Sequence, residues 1–268
     1  MHGLGNDFVL FDLRKQELDL SADKVQQFAN RRTGIGCDQI LVLSTATDKD
    51  CVVDFDVWNA DGSKAEQCGN GVRCIGLYLL LEGEAQTGDF KIHGPVSKIS
   101  LQKKDNNCFR VDMGIPRFDA DKVPTSLNPV DNGYEIQLGE QLCHIGAVSM
   151  GNPHALLEVP DLSKADVDGL GVQISTHPGF PQGCNAGFVE VIDRNNINLR
   201  VFERGAGETL ACGSGACAAV AILGNKGKIN KEVLVNQMGG ALKIEWTGAA
   251  EPVMMTGPAV HLFTGVLI

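Results

Sequence analysis

"VWNADGSKAEQCGNG" (57–71) and "VFERGAGETLACGSG" (201–215) can be laid over one another without a gap. Both begin Val-aromatic-polar and both end Cys-Gly-polar-Gly, so Cys68 and Cys212 stand 144 residues apart in matching contexts. A weaker echo sets Gly5-Asn6 of "GLGNDFVLFD" (3–12) against Gly151-Asn152 of "SMGNPHALLEV" (149–159), and a third sets Gly36-Cys37-Asp38 against Gly183-Cys184-Asn185. Three echoes in one order are the signature of a duplicated supersecondary unit, and they predict two structurally similar halves.

The segments after the two Cys-Gly-polar-Gly turns are also alike. "VRCIGLYLLLEG" and "ACAAVAILGNKG" are apolar nearly all round and end near glycine, the pattern of a helix buried on every side. Around them lie short β-rich runs, "FVLFDL" (8–13), "QILVLS" (39–44), "CVVDFDVW" (51–58), "KISLQ" (98–102), "FRVDMG" (109–114) and "INLRVFE" (197–203), separated by Gly, Pro, Asn and Asp turns. "SADKVQQFANRR" (21–32) predicts one half-buried helix capped by Ser21, with "ANRR" as its solvated end. The fold expected is α+β: two pseudo-symmetric halves, each a curved, antiparallel-rich, barrel-like sheet around a central apolar helix. The boundary is expected near "MGIPRFDADKVP" (113–124), where Pro and Gly interrupt a strand.

Composition narrows the function. In 268 residues, 43% are hydrophobic and 21% charged, which is globular, and no apolar run approaches the roughly 18 residues of a membrane span. The first residues lack a basic region followed by an apolar stretch, so a cytoplasmic location is expected. Nine cysteines, an odd number in a chain this long, point to reduced thiols rather than a disulfide scaffold. A net charge of −10 without a basic stripe argues against a nucleic-acid partner. "GLGNDF" and "TGIGCDQ" lack the third glycine of a dinucleotide fingerprint, and no GxxxxGK[ST] is present. The gaps from Cys68 to Cys74 and from Cys212 to Cys217 do not match short zinc spacings, so no metal is expected, and Cys74 and Cys217 read as core residues.

A Gly-polar-Gly turn lets backbone approach a ligand closely, and the adjoining helix start offers unpaired N–H groups and partial positive charge, which suits an anion. A cysteine titrates near about 8.5, and a helix N-terminus lowers that. Two such cysteines form a thiolate and thiol pair, able to take a proton from one face of a tetrahedral carbon and return one to the other. Inversion run in both directions needs two groups of the same kind, which a duplicated chain supplies.

The motifs "GLGNDF", "GCDQ", "NADGSKAEQCGNGVRC", "GNPHA", "ERGAGETLACGSGACA" and "MTGPAVHLF" together resemble the diaminopimelate epimerase family over nearly the whole chain. The resemblance implies a homodimeric isomerase, without pyridoxal phosphate, metal or other cofactor. It would interconvert L,L- and meso-2,6-diaminopimelate on the lysine and peptidoglycan precursor route. It makes Cys68 and Cys212 the acid–base groups and gives the reacting carboxylate to the backbone of Gly69, Asn70, Gly213 and Ser214. Asn6, Gln39, Asn59, Asn152, Asn185, Glu203 and Arg204 become substrate-binding residues, with Arg204 gripping the distal carboxylate. His154 and Glu203 would tune the thiols, and Phe263 falls where the family often has a tyrosine linked to dimerisation. The halves implied are 1–115 with 258–268, and 116–257, with the site in the cleft between them. Two departures stand out: Gly187 replaces a more usual glutamate, and the chain opens at "MHGLGNDF" without the few residues that commonly start the first strand. The competing readings are a proline-racemase-like epimerase, a phenazine-type isomerase, which does not need both cysteines, and a binding or thiol-redox module on the same frame.

Overall fold

In "VDFDVWN" (53–59) Val53, Phe55 and Val57 are buried while Asp56 faces water, the period-two pattern of a strand with one wet face. Strands of this kind build most of the chain. The computed structural model describes residues 1–65, 68–85, 88–248 and 250–267. It divides into two units, Met1–Asp112 joined by the chain from Thr256 onward, and Met113–Met255.

The first unit contains β1 (His2–Gly3), β2 (Asn6–Asp12), α1 (Ala22–Ala29), β3 (Gln39–Thr45), β4 (Val53–Asn59), β5 (Lys64–Ala65), α2 (Gly69–Leu81), β6 (Asp89–His93), β7 (Lys98–Lys103) and β8 (Cys108–Asp112). Here β2 runs parallel to β3, β3 antiparallel to β4, β4 parallel to β6, and β6 antiparallel to β7. The second unit contains β9 (Pro129–Val130), β10 (Gly133–Leu138), β11 (Gln141–Ser149), β12 (Pro153–Glu158), α3 (Val167–Ser175), β13 (Asn185–Val191), β14 (Asn196–Glu203), β15 (Gly207–Thr209), α4 (Gly213–Asn225), β16 (Glu232–Gln237) and β17 (Gly240–Glu245). β18 (Met254–Pro258) runs across the boundary.

The duplication read from the cysteine motifs is present in the strand pairing. β12 runs parallel to β13, β13 antiparallel to β14, β14 parallel to β16, and β16 antiparallel to β17. Register agrees as well: Phe8 faces Gln39 and His154 faces Asn185, each pair displaced by the same 146 residues. This corrects one alignment, because Asn185 is in register with Gln39 rather than with Asp38. The first half has one residue more between its glycine and the start of the strand, and the match of Gly36-Cys37-Asp38 to Gly183-Cys184-Asn185 is a near miss.

At the centre of each unit is a thirteen-residue helix, α2 or α4, in which ten residues are buried. α2 packs on β1, β2, β7 and β8, and α4 on β11, β12, β13, β14 and β17. Glycine and alanine let the strands come close. At Gly76 a Cβ would lie 2.9 Å from Phe109 Cδ1 and 3.0 Å from Leu101 Cδ2. Away from these helices, Val25 and Ala29 of α1 pack with Phe11, Ile40 and Val42, while Ile174 of α3 packs with Ile136, Ile145 and Phe188.

Helix α1 ends at Ala29, capped at its start by the Ser21 hydroxyl, which accepts from the Lys24 N–H at 3.4 Å. The stretch that follows is its solvated end, with Asn30, Arg31 and Arg32 all exposed, and Arg31 also forms ion pairs at 2.7 Å with both Asp7 and Asp38. Among the described residues no helix is long and apolar enough to cross a membrane.

Gly76→Ala is expected to lower unfolding free energy by about 1–3 kcal/mol, the usual penalty for overpacking a tight core. Urea denaturation checks this, and an unchanged midpoint would show that Phe109 and Leu101 have room to move.

Candidate active site

Both central helices begin at a cysteine. Cys68 and Cys212 occupy the N-cap positions of α2 and α4, with extended backbone at φ −143°, ψ 97° and φ −117°, ψ 112° respectively. That geometry is dictated by the motif: an N-cap residue leaves the helical region, and the glycines after it let neighbouring side chains lie against the first turn. At Gly71 a Cβ would approach Leu41 Cδ2 at 2.9 Å and Phe8 Cε1 at 3.3 Å.

In the first unit the Cys68 sulfur accepts from the Gly71 N–H at 3.4 Å, and its thiol faces Asn6 Oδ1 at 3.8 Å. Asn70 Nδ2 donates to the same Asn6 oxygen at 3.2 Å, and Arg73 Nη2 donates to Asn70 Oδ1 at 2.9 Å. Arg73 is fully buried in an otherwise apolar helix, where an unpaired guanidinium would be very costly. Pro258 O at 3.0 Å and Gly69 O at 3.3 Å are further acceptors around it. Gln39 and Asn59, cross-strand partners on β3 and β4, join through Gln39 Nε2 to Asn59 Oδ1 at 2.9 Å, and Asn59 Nδ2 donates to Ser63 Oγ at 3.0 Å. Asn6, Asn70 and Cys68 therefore form one cluster, and Gln39 and Asn59 another.

In the second unit Cys212 is 4% exposed. Its sulfur lies 3.6 Å from Ser214 Oγ, and its N–H donates to Gln237 Oε1 at 2.8 Å. Burial pushes the Cys212 thiol well above its ordinary pKa, and the Glu203 carboxylate adds to this, against weaker opposing pulls from the Ser214 hydroxyl and the Gly215 amide. The helix N-terminus alone predicts a lowered value, but its roughly 0.3–1 kcal/mol is smaller than the desolvation of a thiolate in a closed site. Glu203 is held by Thr209, whose Oγ1 donates to Oε1 at 2.6 Å.

His154 is fully enclosed, with Nε2 3.1 Å from Asn152 Oδ1. An amide oxygen only accepts, which assigns the ring proton to Nε2. Burial, with the nearby Arg204 cation second, lowers the His154 pKa to about 3, so the ring is neutral at physiological pH. Asn185, beside His154 across the strand pair, accepts the Arg204 N–H at 2.9 Å, and the Arg204 guanidinium donates to Gln182 O at 2.7 Å. Asn152 and His154 thus make one cluster, Asn185 and Arg204 a second, and Cys212, Ser214 and Glu203 a third. Gly213 opens α4 directly after Cys212. At Gly187 a side chain would meet Leu156 Cδ1 at 2.9 Å, so Leu156 occupies the space a larger residue needs. Phe263 stands outside all of these, 67% exposed.

Sequence reading passes over Gln237. Its Oε1 holds the Cys212 backbone, while its Nε2 is buried without a hydrogen-bond partner among the described residues. A lone glutamine at a strand end carries no signal of this. Asp38, quoted in "GCDQ" but given no role, accepts from Asn6 Nδ2 at 3.1 Å.

The diaminopimelate epimerase family model matches residues 1–118 and 146–262. The chain belongs to the diaminopimelate epimerase family. Relatives named diaminopimelate epimerase come from Xanthomonas euvesicatoria pv. vesicatoria (strain 85-10) and Xanthomonas campestris pv. campestris (strain ATCC 33913). They are 43% and 41% identical over 266 residues, covering 99% of this chain and 94% of each relative. This epimerase is an isomerase with a small-molecule substrate, and membership in this family sets aside the binding-module and thiol-redox readings. Its fold extends further. A probable proline racemase from Agrobacterium radiobacter K84 superposes with a TM-score of 0.67 at 14% identity, covering 96% of this chain and 88% of that one. A phenazine biosynthesis protein from Bacillus anthracis superposes at 0.66 and 14%, covering 100% and 95%.

The sign of the His154 effect is fixed by its lowered pKa. Between about pH 6.5 and 3 the unfolded chain binds a proton that the folded epimerase refuses, so this residue alone makes stability fall by up to about 1.4 kcal/mol per pH unit on acidification. Urea unfolding from neutral pH to pH 4 should show a shallower acid loss in His154→Gln than in the wild type. Parallel curves would place a proton on His154 in the folded state.

Proposed function

We propose that the epimerase interconverts L,L- and meso-2,6-diaminopimelate without a cofactor, with Cys68 and Cys212 as its two acid–base groups, in the formation of lysine and peptidoglycan precursors. The observation that carries this reading is the matched pair of cysteines, each the N-cap of a buried thirteen-residue helix in one of two units with the same strand pairing. The relatives' shared name supports the substrate.

In this mechanism a thiolate on one face of the substrate takes the α-proton. The electron pair left on the α-carbon delocalises into the carboxylate, and the thiol on the other face delivers its proton to that carbon. The sulfur that began as thiolate ends as thiol, so each turnover exchanges the roles, and proton exchange with solvent restores the starting form before the same isomer reacts again. The α-proton is a very weak acid, and the developing charge on the carboxylate needs fixed donors in a dry setting. The N–H groups of Gly69, Asn70, Gly213 and Ser214, at two helix starts, supply them.

Burial and Glu203 favour the protonated form of Cys212, so its ionisation is left to the bound substrate, whose α-ammonium brings in positive charge. Glu203 and the neutral His154 set this balance. The amides of Asn6, Gln39, Asn59, Asn152 and Asn185, with Arg204, hold the distal amino-acid group, since discriminating one stereocentre from its twin requires directional donors and acceptors. A homodimer in the cytoplasm completes the reading. Its support is the exposed apolar run of Leu262, Phe263, Val266 and Leu267 near the chain end.

Cys68→Ser and Cys212→Ser each replace a thiol with a hydroxyl that is far harder to ionise. Turnover of diaminopimelate should fall by about 10²–10⁴-fold in either variant, the range attributed to one general acid–base group. Wild-type turnover in one of them would remove that cysteine from the chemistry.

A further inference from the structure

Asn6 has an amide whose two ends are nearly the same shape, so only its partners decide which end meets the Cys68 sulfur. On one side Arg73, a group that can only donate, takes Asn70 Oδ1 and turns the Asn70 NH2 toward Asn6 Oδ1. On the other side Asp38, a carboxylate that can only accept, takes Asn6 Nδ2. The amide is anchored from both ends, and its oxygen faces Cys68.

Asp38 is itself held in place. Its Oδ1 receives Arg31 Nη2 at 2.7 Å, and its Oδ2 receives the Asp7 N–H at 3.1 Å in addition to Asn6. Asp7 closes the ring, accepting Arg31 at 2.7 and 2.8 Å and the Asp38 N–H at 2.8 Å. Arg31 and Asp7 thereby hold in place the carboxylate that meets the Asn6 amide. Asp38 is also the residue by which the first half exceeds the second between its glycine and its strand, since Gln39 and Asn185 occupy equivalent registers.

We propose that Asp38, clamped by Arg31 and Asp7, is a positioning residue that fixes the Asn6 amide with its oxygen toward Cys68 and so holds this cysteine as a hydrogen-bond-donating thiol. The proposal rests on the acid–base role of Cys68 for its catalytic meaning, although the contact itself does not depend on the substrate. A thiol can donate to an amide oxygen, whereas a thiolate is repelled by it. Turning the amide would offer the sulfur an N–H instead and favour ionisation.

Asp38→Ala is the sharp test because it removes the acceptor that holds Asn6 Nδ2. The Asn6 amide then loses one of its two anchors and gains the freedom to turn its NH2 toward the sulfur. Asp7→Asn is the control: it removes one negative charge from the same ring without touching the Asn6 amide. The readout is the rate of alkylation of Cys68 by iodoacetamide in the ligand-free full chain at one neutral pH, resolved by mass spectrometry of the Cys68 peptide.

Asp38→Ala should speed alkylation about fivefold, the effect of one hydrogen bond on the thiolate fraction, and Asp7→Asn less than about twofold. Equal acceleration in both variants would reduce the effect to charge and overturn the proposal, as would no acceleration in Asp38→Ala. Since the readout is Cys68 reactivity and not turnover, its outcome is separate from the cysteine variants that test the reaction.

Discussion

A helix buried on nearly every side has one end at which its unpaired N–H groups must still be met, and that constraint organises this protein. α2 and α4 are enclosed by the strands of their own units, so the first turn of each is the polar point on an apolar cylinder. Cysteine at the cap and glycine after it keep that turn compact and bring a titratable sulfur to the place where an anion is best received. Asn6, Asn70 and the buried Arg73 attach to the first of these turns, and Gln237, Ser214 and Glu203 to the second. The pairing of strands on either side repeats because the same problem is solved twice.

The two solutions are not equal in electrostatics. Cys212 sits in a closed setting beside Glu203, and burial decides its state. Cys68 is partly exposed and takes part in hydrogen bonds with Gly71 and Asn6. A duplicated frame thus supplies two thiols of the same kind while leaving each half free to set its own balance, as the proposed exchange of acid and base requires.

Much of this is legible from residues alone, because the two Cys-Gly-polar-Gly stretches carry both the repeat and the helix starts. The α+β architecture and the Ser21 cap are readable for similar local reasons. The features that escape the sequence depend on contacts between residues far apart in the chain. Arg31 is the solvated helix end that it reads as, but its ion pairs depend on the parallel pairing of β2 with β3, which brings Asp7 and Asp38 to it. The slip that matches Asp38 to Asn185 comes from one extra residue, which only register reveals. Gln237 meets Cys212 from a strand 25 positions away, with no motif to mark it. The direction of the Cys212 shift is misread from sequence because a dipole is visible there and desolvation is not.

In the proposed reaction two thiols remove and return a proton at one carbon without help from a cofactor. It is tested most directly by proton NMR of L,L-diaminopimelate in D2O with reduced protein and no additive. The expected result is loss of the α-proton signal together with growth of the meso isomer, deuterium entering at the inverted centre. A folded, reduced sample that produces neither exchange nor the meso form would contradict it.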